Sequence, residues 1–144
     1  MSFEIIETFT NQQTEQLTEL YQQQWWSKGR TLDDVRKMLA GTQVVLGLVE
    51  SGTSRLVGFC RVISDGIYRA MLLDVMIDEQ YQGRGLGRHL IDVLVSHHQI
   101  ENVEVIWLCC DPKMIPFYEK WGFNLIVDHR AWMHRLLTDS FPVP

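Results

Sequence analysis

Gln82-Gly83-Arg84-Gly85-Leu86-Gly87-Arg88 sets three glycines into five consecutive positions between two differently patterned segments. Before it, residues 68–77 form a β-rich run; after it, Leu86, Leu90, Ile91, Leu94 and Val95 recur at helical spacing. A glycine-rich turn in that place lets the backbone approach a ligand closely. The first N–H groups of the helix then point outward and, with the helix dipole, make an anion site that needs no positive charge on the protein. Phosphate is its natural occupant. Arg84 and Arg88 stand at the positive end of the helix, a placement that costs about 0.3–1 kcal/mol and that a bound anion would offset.

Three phosphate-binding patterns compete for this stretch. A P-loop has Lys and then Ser or Thr after its last glycine, where this chain has Arg88-His89. The dinucleotide fingerprint Gly-x-Gly-x-x-Gly places its third glycine one residue later than Gly87. It also wants an acid at the end of the next strand, where Cys109 and Cys110 stand. The pattern Gln/Arg-x-x-Gly-x-Gly/Ala is met without a gap by Gln82, Gly85 and Gly87.

Downstream, residues 103–110 read as an apolar strand, so strand, helix and strand form a βαβ unit with parallel strands and a right-handed crossover. After Pro112, residues 113–121 read as a short helix stopped by Gly122. Residues 123–137, with Asp128-His129 between two apolar runs, read as a closing hairpin. Upstream, residues 44–50, 55–64 and 68–77 predict three consecutive antiparallel strands, the last two joined by a two-residue Asp65-Gly66 turn. Residues 3–7 read as a first strand and 12–24 as a helix. Thr31 is placed to cap a second helix that ends at Gly41.

With the distal segment Asp111-Pro112-Lys113-Met114-Ile115-Pro116-Phe117-Tyr118-Glu119-Lys120-Trp121-Gly122-Phe123 included, the sequence resembles the GNAT superfamily of acetyl-coenzyme A-dependent N-acetyltransferases over nearly its whole length. The match rests on the glycine loop together with Phe117-Tyr118 and Gly122-Phe123 at the family's distance. Asp111 stands where the family usually has Asn, and Met114 where it has a small residue; ionised, Asp111 accepts a hydrogen bond but cannot donate one. The resemblance implies an α/β (α+β) fold, a mixed central sheet of about six to seven strands flanked by about four helices, in one domain spanning 1–144.

It also implies roles. The backbone of Val75, Met76 and Ile77 would pair with pantetheine as an added strand, with Asp111 and Phe117 alongside. Gln82, Gly83, Arg84, Gly85, Leu86, Gly87 and Arg88 would hold the pyrophosphate, and Tyr118 would protonate the departing thiolate. Aromatic residues at helical spacing are also ordinary core, which is the competing reading for Tyr118. Asp74 is a charge inside the run Met71-Leu72-Leu73-Asp74-Val75-Met76-Ile77, so it should face a wet or polar cavity. It would serve there as base or as orienter of the acceptor amine. Trp25 and Trp26 either line the acceptor site or pack under the helices. The implied reaction is direct acetyl transfer to a primary amine in a ternary complex, without a metal and with homodimer formation as a family habit. A non-catalytic acyl-coenzyme A sensor is the alternative.

Composition narrows the partners. The 144 residues carry 13 Lys+Arg against 18 Asp+Glu, a net charge of −5, which argues against nucleic acid. It leaves a small anion held by local donors, or a cationic substrate drawn to acidic surface. Cys60, Cys109 and Cys110 form neither a disulfide framework nor zinc spacing. Residues 1–4 lack a signal peptide's basic start, and the longest apolar run, 105–110, falls far short of the ~20 residues that span a bilayer. These features predict a cytoplasmic protein that engages no membrane.

Overall fold

The structure is a computed structural model and describes residues 1–137. Five strands lie side by side in chain order: β1 (Phe3–Ile6), β2 (Val44–Glu50), β3 (Arg55–Ser64), β4 (Arg69–Ile77) and β5 (Val105–Trp107). The first four run antiparallel, and β4 pairs with β5 in parallel. Helix α1 (Asn11–Gln22) opens on a reciprocal cap. The Thr10 hydroxyl accepts the Gln13 N–H, and the Gln13 side chain accepts the Thr10 N–H. Thr31 caps α2 (Leu32–Gly41) as its position predicts, with Asp33 and Asp34 favourably placed at the positive end. Helix α3 (Leu86–Val95) is the crossover between β4 and β5, and α4 (Ile115–Glu119) follows a single 3-10 turn at Pro112–Met114.

The helices cover both faces of the sheet. On one, Leu17, Leu20 and Tyr21 of α1 and Val35 of α2 pack on Val49, Leu56, Phe59 and Met76. On the other, Leu90, Ile91 and Leu94 of α3 and Tyr118 of α4 pack on Val44, Leu46, Cys60, Val62, Ala70 and Leu72. Among the described residues no helix is long and apolar enough to cross a membrane.

Three expectations change. The sheet has five strands among the described residues rather than six to seven, because residues 123–137 form no strand. Their two apolar runs find no partner ladder: Leu125, Val127 and Met133 stay exposed, and Asp128 folds back locally onto the Arg130 amide and guanidinium. The Asp65-Gly66 turn is a wider loop, since β3 ends at Ser64 and β4 starts at Arg69. Asp65 organises it by accepting the amides of Ile67, Tyr68 and Arg69, bonds that hold its carboxyl below the usual range. The strand expected over 103–110 is three residues long, because β5 leaves β4 after the Met71–Trp107 pair.

Candidate active site

The parting of β5 from β4 makes the site. Beyond Met71 the β5-facing edge of β4, from Leu72 to Ile77, has no strand partner among the described residues. At the far end of β4, Asp78 caps a 3-10 turn (Glu79–Tyr81) through the Gln80 amide and leads into the glycine loop. Gly83 and Gly85 have φ of +78° and +75°, which L side chains rarely adopt, and a Cβ at either would meet open space. Gly85 occupies the N-cap of α3 and supplies no side-chain acceptor, so the first amides of the helix remain available to an external anion. Gly87 has a different reason. A Cβ there would meet the Phe117 ring at 3.5 Å, an ordinary contact, so Gly87 marks where α3 faces α4.

The loop's side chains are otherwise engaged. Gln82 Nε2 donates to the Ile77 carbonyl at 3.1 Å, tying the loop to the end of β4. Arg84 lies over the Tyr81 ring at 5.0 Å and donates to the Gln80 carbonyl, Arg88 is exposed, and Leu86 is buried beside Leu48 and Val57. The anion donors of this loop are therefore backbone groups first. Asp111 is exposed and its Oδ1 accepts the Lys113 amide, capping the turn before α4.

Midway along the open edge, β4 carries one residue more than β3. Phe59 pairs with Met76 and Arg61 with Leu73, leaving Asp74 and Val75 opposite Cys60 alone. This β-bulge holds Asp74 at φ +56°, a conformation that Asp tolerates better than most residues. It also turns the Asp74 side chain away from α3. Ala70 and Leu72 point into the α3-side core, whereas beyond the bulge Val75 and Ile77 do so. On the opposite face Asp74 Oδ2 accepts from the Tyr21 hydroxyl at 2.7 Å, Arg61 Nε at 2.6 Å and Arg30 Nη1 at 3.3 Å.

The carboxylate expected to face a wet or polar cavity has polar surroundings: it is 7% exposed and paired with two guanidinium groups. A free carboxylate there would bear the full cost of burial; the cations and the phenol offset it. Burial and the Asp74 charge push the Tyr21 hydroxyl far above its ordinary range, which keeps it a neutral donor. Arg61 and Tyr21 went unremarked in the sequence, although Arg61 interrupts an apolar run on the neighbouring strand and so signalled a partner for Asp74.

Tyr118 lies on the α3 side of the same bulge, in the cluster that contains Cys60 and Cys110. Its ring is packed by Phe117 and Phe123, and its hydroxyl has no hydrogen-bond partner among the described residues. Burial pushes this phenol up to about 12, with smaller contributions from Cys110 and Cys60. Trp25 is 53% exposed in the connection between α1 and α2. Trp26 is half-buried, edge-on to Tyr21 and beneath Arg30.

The family model described as "Acetyltransferase (GNAT) family" matches residues 4–123. Among curated relatives, "Uncharacterized N-acetyltransferase ycf52" of Pyropia yezoensis is 34% identical over 100 residues, covering 68% of this chain and 57% of the relative. A "ycf52-like" relative from Prochlorococcus marinus is 32% identical over 112 residues, 76% of this chain and 62% of its own. The chain thus spans about three-fifths of the length of these relatives. In fold it is similar to a crystal structure from Xanthomonas campestris described as belonging to the GNAT family. That similarity has a TM-score of 0.84 at 22% identity, covering 98% of this chain and 97% of the other. Glycine loop, open strand edge and family match converge, and the chain belongs to the GNAT family of acetyltransferases.

Proposed function

We propose that the protein transfers an acetyl group from acetyl-coenzyme A to a primary amine by direct attack in a ternary complex. One observation carries the reading: an uncapped helix N-terminus with a positive-φ glycine loop opens onto an unpaired strand edge, and that edge passes a buried phenol with no hydrogen-bond partner among the described residues. The loop has the shape and donors for a pyrophosphate, and the edge from Leu72 to Ile77 offers backbone groups to an extended amide-bearing arm. When bound, acetyl-coenzyme A supplies the acetyl group as an activated thioester.

The chain's own residues carry the rest. Backbone N–H groups near Met76 polarise the carbonyl that the amine attacks. As the new C–N bond forms and the C–S bond breaks, the electron pair passes to sulfur and Tyr118 gives it a proton. The proton lost by the attacking nitrogen returns to Tyr118 through solvent. A phenol raised to about 12 stays protonated throughout the neutral range, as a donor must. Asp74, already shared by two arginines, orients the acceptor side and is not the base. Trp25 lines the acceptor entrance, and Trp26 supports Arg30 behind it.

Thiol release across a panel of amines tests this reading. Tyr118→Phe should lower kcat by about 100-fold, the lower end for general acid catalysis, while coenzyme A affinity stays within about twofold. Equal turnover in the two proteins would remove Tyr118 from the chemistry. Coenzyme binding with no thiol released from any amine would instead mark a sensor.

A further inference from the structure

We infer that the acceptor amine also carries an oxyanion, a carboxylate or a phosphate, which Arg30 and Arg61 recognise; this rests on the transferase reading and specifies its substrate class. Two guanidinium groups converge on the single carboxylate of Asp74. With Tyr21 neutral, the cluster keeps a surplus positive charge in an otherwise acidic chain.

The spare donors are accessible. Arg61 uses only Nε on Asp74, and Arg30 uses only Nη1. None of the buried side-chain nitrogens or oxygens among the described residues lacks a hydrogen bond, so the remaining guanidinium nitrogens, and Asp74 Oδ1, open to solvent. Arg30 is held ready for a planar anion. Its guanidinium lies 4.5 Å from the Tyr21 ring centre and 5.5 Å from that of Trp26, which limits the side-chain freedom lost on binding.

The position is also apt. Cys60 faces the bulge from β3 and belongs to the cluster around Tyr118, while Asp74 and its arginines leave the same bulge on the opposite face. A group held by Arg30 and Arg61 therefore sits across β4 from the proton donor. There Asp74 Oδ1 is available to the amine and the guanidinium groups to its oxyanion. A purely cationic polyamine would meet surplus positive charge at this point.

Matched pairs test the inference by thiol release: amino acids against their carboxamides, and an aminoalkyl phosphate against the corresponding amino alcohol. The oxyanion member should show a kcat/KM roughly tenfold higher or more, the scale of one charge-assisted hydrogen bond. Which pair separates more identifies carboxylate or phosphate. In Arg30→Gln the ratio should fall toward one through KM, and Arg30→Lys, which keeps the charge but loses the fork, should restore part of it. Neutral members acetylated as well as their charged partners, or polyamines preferred over both, would overturn the inference and leave the transferase reading standing. Release from no amine would overturn both.

Discussion

In the proposed reaction the glycine loop and the Asp74 cluster serve opposite ends, and the two are built by opposite means. The loop keeps its donors in the backbone, exposed by two positive-φ glycines and an uncapped helix, while its arginines attend to Tyr81, Gln80 and solvent. The cluster draws its groups from α1, the α1–α2 connection, β3 and β4, and joins them at one carboxylate oxygen. A backbone donor survives most side-chain changes. A shared carboxylate does not, because each partner lost removes part of what offsets its burial. General affinity for a common cosubstrate suits the first construction, and discrimination among acceptors suits the second.

That contrast breaks most readily at Arg61. Arg61→Ala leaves Asp74 with the half-exposed Arg30 and the Tyr21 hydroxyl and should destabilise the fold by about 3 kcal/mol, read as a lower urea midpoint. A loss under about 0.5 kcal/mol would mean the cluster behaves like exposed surface pairs. Alkaline pH acts on the cluster and on the α3-side core together, since burial raises Tyr118 to about 12 and Tyr21 rises further. Above about pH 10 the unfolded chain releases protons that the folded one keeps, so stability falls as pH rises toward 12. Each tyrosine contributes up to about 1.4 kcal/mol per pH unit to that slope. Midpoints measured at pH 9 and 11 should decline less in Tyr118→Phe than in the parent; parallel declines would remove Tyr118 as a source. The smallest expected loss is in the loop. Gly85→Ala forces a side chain to φ +75° at about 1 kcal/mol and weakens coenzyme A binding severalfold. A loss as large as that at Arg61 would erase the difference between the two regions.

The same contrast governs what the sequence reveals. The loop, the three-strand meander, the βαβ crossover and the Thr31 cap are local signals, each carried by neighbouring residues. The cluster joins positions 13, 44 and 53 residues apart from Asp74, and no contiguous pattern announces it. Asp74 itself stood out as a charge in an apolar run. Strict alternation along a strand could not give the direction of its side chain, because the bulge interrupts it. Residues 123–137 failed for a third reason. Short apolar runs describe strands only when an edge receives them, and β5 offers three residues.

The extra residue at the bulge has a further consequence for how β4 tolerates change. It acts as a one-step frame shift in space: even-numbered residues face α3 up to Leu72, and odd-numbered ones do so from Val75 onward. Deleting Val75 would restore uniform phase and carry Asp74 into the apolar layer, while the strand residues on either side keep their faces. Residue count at this point is therefore under stronger constraint than residue identity. In a strand only nine residues long, the spacing between Leu72 and Met76 sets which residues face α3 and which face the Asp74 cluster.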